Sequence, residues 1–162
     1  MKNLIPQKKI ALIAHSWDLD KMLSVFILAI GARSFDYETT IFFTFWGLNA
    51  LLKGKKSYKG KRIDEKLFTL LAPQGPSDLP LSKKHFFGVG TKMLKKLMKR
   101  KNLSSLEDLF ALAKELGVKF TACDMTCGIM NISKNELIDG IDYAGVATFY
   151  AEALNSKMVL FI

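Results

Sequence analysis

A chain of 162 residues, 49% hydrophobic and 24% charged, has the length of one domain and a composition that excludes disorder or a need for disulfide or metal staples. Its net charge of +9 points to an anionic partner if the cations cluster, and to plain solvation if they are spread. Two cysteines four positions apart exclude a secreted disulfide framework, and the apolar run Ile10 to Ala14 is too short for a signal-peptide core. The expected compartment is therefore the cytoplasm.

In chain order, Lys9 to Ala14 (KIALIA) is a short continuous apolar run of the kind covered on both faces in a parallel sheet. His15-Ser16-Trp17-Asp18 turns the chain, and Leu19 to Phe35 has helical length and is apolar almost all round. Glu38 to Phe45 (ETTIFFTF) is β-branched and aromatic and predicts a second strand, followed by a turn at Trp46 to Asn49 and a short helix from Ala50 to Lys53. The apolar stretches Met22 to Ala32 and Ile41 to Leu52 both fall short of the roughly 18 residues a membrane span needs, and Arg33, Asp36 and Glu38 separate them.

Gly54 to Lys61 is a lysine- and glycine-rich loop, and Leu67 to Leu71 fits either a strand or a helix end. Pro73 to Pro80 is irregular. Phe86 to Gly90 opens a helix over Lys92 to Lys101, with Met93, Leu94, Leu97 and Met98 on one face and lysines on the other. Ser104 and Ser105 with Glu107 and Asp108 give a capping box for a helix over Leu106 to Leu116, ended by Gly117. Val118 to Ala122 is a buried strand ending at Cys123, Ser133 and Glu136 form a second capping box, Tyr143 to Leu154 is an amphipathic helix, and Lys157 to Ile162 is a last strand.

This alternation predicts one domain over residues 1–162, an open parallel sheet with helices on both faces. In such sheets chemistry collects beyond the carboxyl ends of the strands. His15 to Asp18, Trp46 to Asn49 and Cys123 to Met130 occupy three such ends and are expected to share one edge. His15, Trp46 and Asn49 are accordingly candidates for contacting a substrate or partner.

Cys123 is the candidate nucleophile. A thiol that ends a strand and opens a helical turn gains thiolate character from the turn's free N–H groups, although Asp124 beside it works the other way. The bland alternative is a small core residue. Cys127 completes a C-x3-C pair, which on a regular helix sets the β-carbons roughly 6 Å apart and does not favour a disulfide. It is read as accessory to Cys123. With His15 and His85 the only histidines, no metal-ligand spacing is present, and Phe87-Gly88-Val89-Gly90-Thr91-Lys92 lacks the spacing of either standard phosphate loop. Basic charge concentrates in Lys53 to Lys66 and Lys83 to Lys101. Without base-stacking aromatics it is read as solvation or as a dock for an acidic partner, with Lys95, Lys96 and Lys99 foremost, rather than as a nucleic-acid surface.

Three segments carry a family resemblance: FFTFWGLN at 42–49, FGVGTKM at 87–93 and ACDMTCGIM at 122–130, followed by LIDG at 137–140 and GVAT at 145–148. In this order they resemble the DsrE/DsrF-like family across nearly the whole chain, and most closely its stand-alone subgroup, labelled peroxiredoxin-like or sulfurtransferase. The resemblance implies a three-layer α/β/α fold with a mostly parallel five-stranded sheet, usually in a homo-oligomer. It further implies sulfur relay, with a persulfide carried on Cys123, rhodanese-like or TusA-like proteins as donors or acceptors, and no cofactor. Many relatives lack a cysteine at the position of Cys127, so a dithiol mechanism is not carried over. A thiol redox protein using both cysteines, and a non-catalytic binding module, remain open alternatives.

Overall fold

The computed structural model describes residues 8–54, 62–63 and 72–162; the segments expected at 55–61 and 67–71, and much of the first basic stretch, lie outside them. Five strands form one sheet, β1 (Lys9–Ala14), β2 (Glu38–Phe43), β3 (Lys119–Cys123), β4 (Asp142–Ala144) and β5 (Met158–Phe161), in the order β4-β3-β2-β1-β5. Every neighbouring pair is parallel, so all five carboxyl ends lie on one edge. Among the described residues the α-helices are α1 (Leu19–Ser34), α2 (Val89–Arg100), α3 (Leu106–Glu115), α4 (Asp124–Ile129) and α5 (Val146–Ala153). This is the α/β/α arrangement that the alternating sequence predicts.

Strand parity divides the interior into two unequal halves. Leu12, Ala14, Ile41, Phe43, Phe120 and Ala122 point to the face covered by α1 and α3, where the main core forms. Phe26 of α1 anchors it, its ring 5.3 Å from Phe110 of α3 and 5.9 Å from Phe120 of β3, tilted and edge-on as aromatic quadrupoles favour. Ala11, Phe42 and Cys123 point to the opposite face, where α5 contributes a single buried side chain, Phe149. There Val159 and Phe161 of the edge strand β5 stay largely in solvent, as do Val146, Tyr150 and Leu154 of α5.

Three expected boundaries move. β2 ends at Phe43 rather than Phe45: Phe45 takes a left-handed φ of 44°, and the chain enters a 3-10 segment, Phe45–Leu51, that absorbs the expected turn and the first two residues of the expected short helix, while Leu52 is extended and bridges to Leu137. Gly47 makes this passage possible, because a β-carbon there would lie 2.1 Å from the carbonyl oxygen of Ala14. α2 starts at Val89, three residues before its expected first residue, from Gly88 with φ 91°. The region expected to be helical from Tyr143 instead gives β4 and then α5, split at Gly145. The capping boxes Ser105–Asp108 and Ser133–Glu136 form as expected.

Replacing Gly47 with alanine drives a methyl into the end of β1 and is expected to destabilise the fold by about 1–3 kcal/mol. The same replacement at Gly31, inside α1 with no atom within 4 Å of a new β-carbon, is expected to stabilise by about 0.5–1 kcal/mol. Urea unfolding midpoints of the two variants check the contrast.

Candidate functional site

The three strand ends meet as expected along the carboxyl edge. The Thr44 amide donates to the Ala14 carbonyl at 3.1 Å, the Gly47 amide to the His15 carbonyl at 2.8 Å, and the His15 amide to the Ile162 carbonyl at 2.8 Å. The hydroxyls of Thr44 and Thr126 lie 3.0 Å apart and tie the end of β2 to α4. The edge is therefore one hydrogen-bonded rim running from β5 to α4.

Cys123 closes β3 and stands immediately before α4, with β-type dihedrals that hand the chain from strand to helix. The expected position holds, but the expected display to solvent does not. Its side chain packs with Ala11, Phe42 and Phe149, and only 7% of the residue is exposed. The cover is thin. The Phe149 ring lies 5.0 Å from that of Phe42, on a helix of eight residues whose other side chains are half-buried or exposed. Asp124 accepts at a carboxylate oxygen from the Met125 amide at 2.6 Å, so one of the free N–H groups in the first turn of α4 is already satisfied by oxygen.

Cys127, one turn along α4, turns into the main core instead. Burial is the chief cause that pushes its thiol up to about 11; the Tyr143 hydroxyl pulls the other way, and the charges of Cys123 and Asp124 push it further up. Tyr143 of β4 sits in register with Ala122 and faces the same core. Its buried hydroxyl has no hydrogen-bond partner of good geometry, and the Cys127 sulfur is its polar neighbour. Burial and that sulfur push the phenol upward in turn. At neutral pH the pair holds both protons, with the hydroxyl placed to stabilise a Cys127 thiolate should one form. The two thiols thus meet different environments on opposite sides of one sheet.

His15 sits between Phe45 and Phe161, at ring distances of 5.5 and 5.4 Å with the planes tilted by 37° and 33°, and so packs on a residue of β5. Trp46 packs on Trp17 at 4.8 Å and stays half-buried on the rim. Asn49 is buried, and its side-chain amide donates to the Trp46 carbonyl at 2.9 Å, closing the 3-10 segment. Lys95, Lys96 and Lys99 lie on α2, apart from this cluster. Lys95 donates to the Ser77 carbonyl, Lys95 and Lys99 border a cavity of about 340 Å³ floored by Leu19, Met98 and Leu106, and Lys96 points to solvent. Among the described residues no three His, Cys, Asp or Glu side chains are placed to hold a metal ion. Phe149 and Tyr143, which set the surroundings of the two thiols, escape sequence reasoning because both lie in the stretch expected to be one helix.

A parallel α/β/α domain with a cysteine at the turn from strand to helix is the class that fold and site define. The chain belongs to the DsrE/DsrF/DrsH-like family, whose model matches residues 6–161. It is 43% identical over 155 residues to the protein YrkE of Bacillus subtilis (strain 168), covering 96% of this chain and 97% of that one. It is 38% identical over 160 residues to the sulfur carrier protein DsrE2 of Allochromatium vinosum, covering 96% and 99%. The crystal structure of the ychN protein from E. coli superposes with a TM-score of 0.59 over 96% of this chain and 99% of that chain, at 15% identity, and so matches in fold.

Two outcomes are expected from the thiols. In a Cys127→Ala background, Phe149→Ala should speed labelling of Cys123 by a disulfide reagent several-fold while destabilising the fold by about 3 kcal/mol; unchanged labelling would show that Phe149 is not the cover. A folded pKa of about 11 against an ordinary 9.0 means that the native state keeps the Cys127 proton over a range where the unfolded chain has lost it. Cys127 therefore adds stability that is fully present below pH 9 and disappears as pH rises through 11, up to about 2 kcal/mol. Cys127→Ala should flatten the alkaline limb of the stability profile measured by urea unfolding.

Proposed function

We propose that this protein is a sulfur carrier that accepts and passes sulfane sulfur as a persulfide on Cys123. The observation that carries the reading is the place of Cys123, at the carboxyl end of a central strand on the rim where parallel sheets position their chemistry. Membership of the family, and a relative described as a sulfur carrier, support it.

In the transfer step the Cys123 thiolate attacks the outer sulfur of a donor persulfide. A new S–S bond forms to Cys123, the donor's S–S bond breaks, and the donor leaves as a thiolate while the transferred sulfur keeps its proton. No net oxidation occurs, and the step draws on no cofactor. Passing the sulfur on repeats the step with Cys123 as the leaving group. The thin cover fits a carrier: Phe149 shields the sulfane sulfur between encounters, and a small displacement of α5 exposes it. Cys127 is accessory, since a thiol held near pKa 11 supplies little thiolate at neutral pH. For the same reason a Cys123/Cys127 redox pair is the weaker reading.

The proposed setting is the cytoplasm, with rhodanese-like or TusA-like proteins as donor or acceptor. His15 and Trp46 form the rim such a partner meets, with Asn49 holding Trp46 in place beneath it. Lys95 and Lys99 offer an acidic partner a cationic border. A homo-oligomer is proposed through the apolar strip of α5 and β5, where Tyr150, Leu154 and Phe161 are exposed together.

Intact mass after incubation of reduced protein with polysulfide or a persulfidated donor tests the assignment. The expected result is a gain of one or more sulfur atoms, lost in Cys123→Ser and kept in Cys127→Ser. A gain that survives Cys123→Ser, or loss of two hydrogens on mild oxidation with no sulfur gained, would sink it.

A further inference from the structure

Between residues 83 and 101 the chain carries eight cations, Lys83, Lys84, Lys92, Lys95, Lys96, Lys99, Arg100 and Lys101, and no acid. α2 lies within this stretch and buries only Gly90 and Thr91, with Leu94 and Met98 half-covered on the same side. A helix advances 100° per residue, so Val89, Met93 and Leu97 form a separate stripe rotated away from that contact. All three are exposed, Val89 and Met93 to about two-thirds of their surface. Lys92, Lys96 and Arg100 form the adjoining stripe. An apolar band edged by cations therefore faces solvent along the length of the helix.

The loop before α2 extends this band. Phe86 and Phe87 both hold left-handed backbone, with φ of 41° and 52°, a region that bulky side chains seldom occupy and that costs about 1–3 kcal/mol. The outcome is two rings pointing outward: Phe86 is 70% exposed and Phe87 fully so. Neither ring joins a hydrophobic cluster of the described residues, and both stand beside cations.

The geometry points to α2 and the Phe86-Phe87 loop as a docking surface for an anionic lipid bilayer. The helix would lie in the interfacial plane, with the two rings and Val89, Met93 and Leu97 dipping among the acyl chains and Lys92, Lys96 and Arg100 on the headgroup phosphates. Charge selects this occupant. A second copy meeting this surface face to face would set cations against cations; nucleic acid has bases to stack on the two exposed rings but nothing to cover Val89, Met93 and Leu97. The strip on α5 and β5 is apolar without such a dense basic border and suits a protein better. The attachment proposed is peripheral, through this surface; no helix among the described residues is long and apolar enough to cross a membrane. Lys96 accordingly leaves the donor-facing group of lysines, and Lys95 and Lys99, which border the cavity on the other side, remain in it.

Flotation of the full chain with vesicles tests this, using phosphatidylcholine alone and phosphatidylcholine with about one part in three of phosphatidylglycerol. Binding to the anionic vesicles is expected to exceed that to the neutral ones by about tenfold or more, and to weaken as salt rises toward about 0.5 M. Phe86→Asn with Phe87→Asn, which tolerates left-handed backbone and removes no core contact, should reduce the anionic binding by about tenfold. Lys92→Gln with Lys96→Gln and Arg100→Gln should abolish the preference for anionic lipid. Equal or absent binding to both vesicles would overturn the inference, as would binding indifferent to the double asparagine variant. Light scattering that shows a concentration-dependent assembly abolished by that variant, with no vesicle binding, would reassign the surface to a protein contact. The persulfide reading stands or falls separately, on the mass of Cys123.

Discussion

Side chains alternate along β3, and that alternation arranges the whole candidate site. Phe120 and Ala122 go to the core built by α1 and α3; Thr121 and Cys123 go to the face that, among the described residues, α5 covers. A slip of one residue in the register with β2 would turn Cys123 into the aromatic core around Phe26 and bring Ala122 to the thin side. Pairing of Phe42 with Thr121 and of Phe43 with Ala122 holds the register, because β2 and β3 bury apolar residues on the same two faces. The chemistry is set by a packing constraint before any property of sulfur enters.

The same constraint separates the two thiols. Four residues apart in sequence, they are divided by the turn from strand to helix, which ends the parity rule at Cys123 and starts the helical period at Asp124. Cys127 is rotated back over the sheet into the main core, where burial and the Tyr143 hydroxyl act on it in opposite directions and burial dominates. A pair on one exposed helix face would meet similar dielectric and similar access. This pair does not, and the asymmetry favours one carrying sulfur over a reversible dithiol.

Much of this was legible in the sequence, and the exceptions have particular causes. Short apolar runs marked β1, β2 and β3, serine and acid at the right spacing marked two capping boxes, and the alternation placed three strand ends on one edge. β4 was lost because Asp142-Tyr143-Ala144 is three residues long and earns its strand geometry only from pairing with β3. The end of β2 was misplaced because aromatic composition continues to Trp46, while a contact over thirty residues back in the chain, Gly47 against Ala14, ends the strand first. The burial of Cys123 could not be read locally at all. What covers it is Phe149, and strand parity together with the placement of α5 is needed to bring them together.

α5 then acquires a double role from its position. Its inward side contributes Phe149 to the cover over Cys123, and its outward side presents Tyr150 and Leu154 in line with the exposed edge of β5. Among the described residues Phe149 and the Lys9–Glu152 ion pair are what hold the helix to the sheet, so a local displacement of α5 disrupts little else. On the proposed persulfide reading, a body seated on Tyr150 and Leu154 that presses α5 inward would protect the persulfide, and one that draws it outward would expose it to transfer. On that reading, access to the sulfur answers to the surface opposite the ring that covers it, without any change in the rim of His15 and Trp46.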